Sequence, residues 1–110
     1  MFVEMKTITV KEGFAQAVAE RFSKPGAVEQ MPGFVDLSVM VKKARHGEEQ
    51  VLVMIRWESE DAWKAWEKSD VHIEGHRQSA KQGRPDYIIS SSHDSYQVSV
   101  LKAAAPAALN

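Results

Sequence analysis

Residues 34–58 read FVDLSVMVKKARHGEEQVLVMIRWE, and their pattern decides the fold. Phe34 to Lys42 and Gln50 to Glu58 are rich in β-branched and aromatic residues, which predicts two strands. Between them Ala44-Arg45-His46-Gly47-Glu48 is polar and holds a glycine, so the two strands read as an antiparallel hairpin with a longish loop. The second strand alternates Val51, Val53, Ile55 and Trp57 against Leu52, Met54 and Arg56.

Upstream, Met31-Pro32-Gly33 marks a turn and Pro25-Gly26 stops a helix. That helix carries Phe14, Ala17, Val18, Arg21 and Phe22 at the spacing of one amphipathic stripe. Lys11-Glu12-Gly13 separates it from a first strand over Phe2 to Val10. Phe2, Glu4, Lys6, Ile8 and Val10 share one face of that strand; Val3, Met5, Thr7 and Thr9 share the other. Neither face is cleanly apolar, so part of the strand is expected to line something other than a dry core. Downstream, Ser59 caps a helix running to about Lys68, with Glu60 and Asp61 at its positive end. Ser69-Asp70 starts a second helical piece over Val71 to about Gln82, which Gly83-Arg84-Pro85 breaks. Ile88 to Val100 supplies the last strand, with an interruption expected near Ser91 to Asp94. Residues 102–110 are an alanine-rich tail around Pro106, expected to be mobile.

The order β-α-β-β-α-β is the split βαβ signature of an α+β, ferredoxin-like antiparallel sheet with both helices on one face. Residues 1–101 form the single domain, as a chain of 110 residues allows. The bare face of such a sheet needs cover, and a second subunit supplies it, so a homodimer is expected. The composition is that of an ordinary globular protein, 44% hydrophobic and 26% charged. A net charge of −1 leaves no basic field for a phosphate backbone, and nucleic acid is not expected as a partner. The absence of cysteine excludes disulfides, Fe–S clusters and thiolate-ligated haem, and fits a reducing compartment. No basic n-region with a following apolar run opens the chain, and no apolar stretch matches a bilayer. The expectation is a cytoplasmic protein with no membrane partner.

Four histidines are the first candidates for chemistry. His46 belongs to the hairpin loop and reads as solvated. His93 follows three serines, but neighbours on a strand point to opposite faces and no nucleophile elbow is present, so a serine hydrolase is disfavoured. His72 and His76 lie four apart, on one helix face. That spacing suits a metal such as zinc, yet no H-E-x-x-H or cysteine pair completes a site. The residues alone favour a surface His72 and a buried, hydrogen-bonded His76 by about two to one over any metal. A single axial histidine for haem iron is a smaller demand. Of three tryptophans, Trp57 and Trp63 read as core. Trp66 sits just before the break at Ser69-Asp70, where a bend would bring it to one cavity with His76. Gly75 would let a flat ligand approach the helix closely.

The run from Trp57-Glu58-Ser59-Glu60-Asp61-Ala62-Trp63 through Lys64-Ala65-Trp66-Glu67-Lys68-Ser69-Asp70, followed by His76, resembles the IsdG-type haem-degrading monooxygenases within the antibiotic-biosynthesis-monooxygenase-like superfamily. Glu20-Arg21-Phe22 and Gly33-Phe34 fit the same pattern. The resemblance implies a ferredoxin-like domain in a dimeric α/β barrel with one haem per subunit. It implies that His76 is the axial ligand of the haem iron and that Trp66 packs on the haem and forces it out of plane. Haem is then cofactor and substrate together. O2 reduced with electrons from an external donor attacks the ring, releasing iron, an opened tetrapyrrole and a one-carbon fragment. No flavin or nicotinamide fingerprint is present, so a separate reductase is implied as a partner. The family also carries an asparagine on the first strand. Lys6 stands at that position, and the only asparagine of the chain is Asn110. Lys6 can donate a hydrogen bond, pair with Glu4, meet a haem propionate, or point to solvent. Two further readings stay open: a cofactor-independent monooxygenase of an aromatic substrate, and a haem-binding protein without turnover.

Overall fold

The computed structural model describes residues 1–42 and 46–106. The β-branched stretches form four strands: β1 (Phe2–Lys11), β2 (Phe34–Lys42), β3 (Glu48–Trp57) and β4 (Ile88–Gln97). The sheet order is β2-β3-β1-β4, and every pairing is antiparallel. Three α-helices connect them: α1 (Ala15–Ser23), α2 (Glu60–Glu67) and α3 (Asp70–Gln82). A single 3-10 turn over Val28–Gln30 precedes β2. This is the expected α+β ferredoxin-like arrangement. Of the expected hairpin loop, Ala44 and Arg45 lie outside the described residues, as does the tail beyond residue 106. Among the described residues no helix is long and apolar enough to cross a membrane.

Register places the apolar positions on one side. Phe2 faces Trp57, Glu4 faces Ile55, Lys6 faces Val53 and Ile8 faces Val51. Phe2, Ile8, Val10, Val51, Val53 and Trp57 are all buried, and all lie on this inner face. α1 packs over one end of it, where Ile8, Val10, Ala15, Val18 and Val51 form the main core with Phe22 and Val39 against it. α2 packs over the other end, where the Phe2 and Trp63 rings lie 4.9 Å apart. The outer face carries Val3, Met5, Leu52 and Met54, half-buried, and an exposed Met40. None of the buried residues points to that side.

The helix starts follow local chemistry in two cases and distant chemistry in one. The Ser59 hydroxyl accepts from Ala62 N at 3.1 Å, and Ser69 accepts from His72 N at 3.2 Å. α1 has no such cap in its own sequence. Glu49 of β3 reaches across instead and accepts from Gly13 N (2.7 Å) and Ala15 N (3.2 Å).

One expectation fails. The last strand is not interrupted near Ser91 to Asp94, because Ser90 to Gln97 pair without a break against Thr9 to Phe2. The irregularity sits at Thr9/Val10 instead. A serine-rich run has little strand propensity of its own, but β1 offers every backbone group a partner. The strand ends at Gln97, and Val98 N donates to Met1 O at 3.0 Å.

Gly33 fixes how α2 meets the sheet. Its φ is +84°, its carbonyl accepts from Glu58 N at 2.8 Å, and an added Cβ would stand 2.5 Å from Ala62 Cβ. Gly33→Ala is therefore expected to lower the unfolding free energy by about 2 kcal/mol or more. Gly13→Ala, also at positive φ but with open space around it, is expected to cost only about 1 kcal/mol. Urea melts with unchanged slope measure both. A Gly33→Ala protein as stable as Gly13→Ala would contradict the close-contact account.

Candidate functional site

Because α1 and α2 hold only the two ends of β1, Glu4 and Lys6 are left facing the gap between them. α3 passes beside this gap, and its His72 and His76 border a half-open cavity of about 330 Å³. Its floor is apolar, made by Leu37, Val53 and Ile55. Glu4, Lys6 and His93 form a polar wall, and Trp66, His72 and His76 come from the helices above. Lys6, Trp66 and His76, the residues singled out in the sequence, thus meet at one cavity. Gly75 borders an adjoining pocket with Trp66 and His76, and a Cβ built there would touch nothing.

The polar wall is tuned by burial and by its own neighbours. Trp63 Nε1 donates to Glu4 Oε2 at 2.6 Å. Burial nevertheless pushes the Glu4 carboxyl above its ordinary range; the Trp63 bond opposes this, the nearby Glu67 carboxylate adds to it, and Lys6 offsets part. The Lys6 ammonium is pushed below its ordinary range by burial, which Glu4 opposes and Arg21 reinforces. His93, directly across from Lys6 in the β1–β4 register, is lowered by burial first and by Lys6 second.

The two helix histidines differ in a way opposite to expectation. His72 is the enclosed one, with only 16% of its side chain exposed, and its Nε2 lies 3.2 Å from Glu67 Oε2. Its ring centroid is 4.7 Å from that of Trp66 and 4.4 Å from that of His76. His76 is the more exposed. Helical side chains lean toward the helix N-terminus, so His72 in the first turn of α3 folds back onto α2 while His76 projects over the gap. Among the described residues the His76 imidazole makes no hydrogen bond. Nor do three His, Asp or Glu side chains gather there as a metal cluster. Trp57 is core as expected, but Trp63 is not purely so: it borders a neighbouring cavity of about 310 Å³ with Glu67 and His72.

His93, Glu67 and Arg21 also line these cavities: the sequence weighed His93 only as a partner of the neighbouring serines, held Arg21 only within the Glu20-Arg21-Phe22 match, and did not single out Glu67. The signal for His93 was the β1–β4 register, which an unbroken last strand would have given. Glu67 and His72 meet only because α2 and α3 are bent at Ser69.

A sequence profile of the family described as antibiotic biosynthesis monooxygenase matches residues 1–78. The chain belongs to this family. Within the antibiotic biosynthesis monooxygenase family it is 52% identical, over 93% of its length and 94% of the relative's, to the heme-degrading monooxygenase HmoA of Bacillus subtilis. A crystal structure of a Bacillus cereus protein assigned to the same family superposes with a TM-score of 0.82 at 52% identity, covering 94% of this chain and 97% of that one. The heme-degrader MhuD of Mycobacterium tuberculosis, solved with two hemes bound in its active site, superposes at 0.69 with 26% identity, covering 94% of this chain and all of MhuD.

The residues of this family member fit a haem. The cavity combines an apolar floor, an aromatic side chain and an imidazole that makes no hydrogen bond among the described residues, a donor set that suits ring and iron.

The raised Glu4 has a thermodynamic consequence. Its folded form holds a proton more tightly than the unfolded chain, so its contribution to stability is greatest below the unfolded value of 4.5 and falls as pH rises above it. Glu4→Gln removes the charge. Its stability relative to the unsubstituted protein is expected to rise between pH 4 and pH 7, as read by paired thermal melts. A difference that shrinks over that interval would contradict the burial account.

Proposed function

We propose that this chain is a haem-degrading monooxygenase, which binds haem and opens its ring with O2 and external electrons, releasing iron. The observation that carries the reading is the unpartnered His76 imidazole, placed with Trp66 at one half-apolar cavity. The bound haem would supply the iron at which O2 is reduced and the ring that is oxidised.

The protein's own groups do the rest. His76 would hold the iron through a ring nitrogen. His72 is the poorer candidate, since its Nε2 is engaged by Glu67. Trp66 sets the wall against which the ring rests. Lys6 donates into the cavity from β1, at the position where the resemblance places an asparagine. The apolar floor of Leu37, Val53 and Ile55 excludes water from the ring. Electrons come from a separate reductase in a reducing, cytoplasmic setting, in keeping with a chain free of cysteine. A second copy covers the outer sheet face, burying Met5, Leu52 and Met54 in a homodimer.

An anaerobic absorbance titration tests this. The protein is expected to give a Soret band saturating at one haem per chain. His76→Ala is expected to weaken binding by roughly tenfold or more and to shift the band, while His72→Ala keeps it. With ascorbate, air and catalase, the band of the unsubstituted protein is expected to decay to a bilin-like spectrum. A band that persists would make the protein a haem binder without turnover. No band at all would favour a cofactor-independent oxygenase. A His76→Ala protein that binds and degrades haem normally would remove His76 from its role.

A further inference from the structure

Three aromatic rings border the 330 Å³ cavity in succession: Trp66 from the last turn of α2, His72 from the first turn of α3, and His76 one turn later. The His72 ring touches both of the others. Its centroid lies 4.7 Å from that of Trp66, tilted by 59°, and 4.4 Å from that of His76, near perpendicular at 75°. The backbone ties Trp66 to His72, because the Ser69 hydroxyl donates to Trp66 O and accepts from His72 N. A side chain ties His72 down as well: its Nε2 lies 3.2 Å from Glu67 Oε2, and only 16% of it is exposed. Glu67 is itself close enough to Glu4 of β1 to raise that carboxyl's ionisation, and Glu4 accepts from Trp63 at 2.6 Å.

A metal-binding histidine is usually held by a polar restraint. The ring nitrogen away from the metal donates to a carboxylate or a carbonyl. Among the described residues the His76 imidazole makes no hydrogen bond. The torsion that spins an imidazole about its Cβ–Cγ bond is soft, so the ring would otherwise sample many planes. The near-perpendicular contact with His72 limits that spin, since edge and face carry complementary charge. Such a contact is only as stiff as the ring that makes it. Glu67 at Nε2 and Trp66 alongside remove the freedom of His72 itself.

We infer that Glu67 and His72 are positioning residues of the haem site: Glu67 pins the His72 ring as a wedge between Trp66 and His76, and the wedge sets the plane in which the His76 imidazole meets the iron. The inference rests on the haem reading above. It gives the Glu67–His72 pair the work that a hydrogen bond to the ligating ring does elsewhere.

Proton NMR of the ferric haem complex with cyanide on the open side tests this without turnover. The unpaired electron spreads the ring-methyl lines in a pattern that follows the plane of the axial imidazole. The unsubstituted protein is expected to show a wide, well-resolved spread. His72→Ala is expected to keep the Soret band but to narrow the spread, because a rocking imidazole averages over planes, and to weaken haem binding by about threefold. Glu67→Ala, which leaves all three rings in place, is expected to narrow it as well. Glu67→Gln keeps an acceptor for His72 Nε2 and is expected to restore the parent pattern. The His72→Ala/Glu67→Ala double variant is expected to match His72→Ala alone, since Glu67 acts only through His72. A parent-like spread in either single alanine variant would overturn the wedge and leave the haem reading intact. So would Glu67→Gln narrowing the spread as much as Glu67→Ala, or additive losses in the double variant. Loss of the Soret band in His72→Ala would make His72 the ligand and overturn its place as a wedge. A protein that binds no haem, or a His76→Ala complex with the parent spectrum, would overturn both readings. Melts of the ligand-free proteins guard against a folding defect. If His72→Ala fails to fold, the partly exposed Glu67 still carries the test through its alanine and glutamine variants.

Discussion

The alternation of β1 is the constraint on which the rest depends. One face of this central strand carries Phe2, Glu4, Lys6, Ile8 and Val10 in succession. The apolar residues at its ends are gripped, Phe2 by Trp63 of α2 and Ile8 with Val10 by α1. Strand geometry puts roughly 20 Å between Phe2 and Ile8. No helix can lie flat on the two charged residues between them without stranding their charges. The cavity is therefore a consequence of where the charges fall in the strand, and the core on either side keeps it open.

The joint between α2 and α3 determines what faces that cavity. Ser69 closes one helix and starts the next: its hydroxyl donates to Trp66 O at 2.7 Å and accepts from His72 N. The change of direction lets α3 pass beside Glu4 and Lys6 instead of continuing along α2. It also sets His72 against Trp66 and Glu67, and among the described residues the His76 ring makes no hydrogen bond. A ligating histidine needs that freedom, and a second imidazole packed edge-on at 4.4 Å limits where its ring can turn.

Much of this was legible in the sequence. The hairpin, the order of elements, the serine caps and the break before α3 all follow from local chemistry, and local chemistry is what a sequence records. The unusual polarity of β1 was legible too, as a strand with no cleanly apolar face. What escaped depended on partners distant along the chain. Glu49 caps α1 from 34 residues away, and Ser91 to Asp94 hold strand geometry only because β1 pairs with them. His93 reaches the cavity through the same pairing. The exposures of His72 and His76 came out reversed because helical periodicity places both on one face without saying which lies under α2. The joint role proposed for Trp66 and His76 came from family resemblance, since helical spacing alone gave them no ligand.

In the proposed function haem occupies the inner side of the sheet over Glu4 and Lys6. Ferric haem is paramagnetic and broadens nearby proton resonances, so methyl NMR spectra with and without one equivalent of haem test the claim directly. Val53 and Ile55, on the inner face, are expected to broaden strongly, and Met5, Leu52 and Met54, on the outer face, far less. Stronger broadening of the outer-face methyls, or an even loss of signal across both faces, would contradict it.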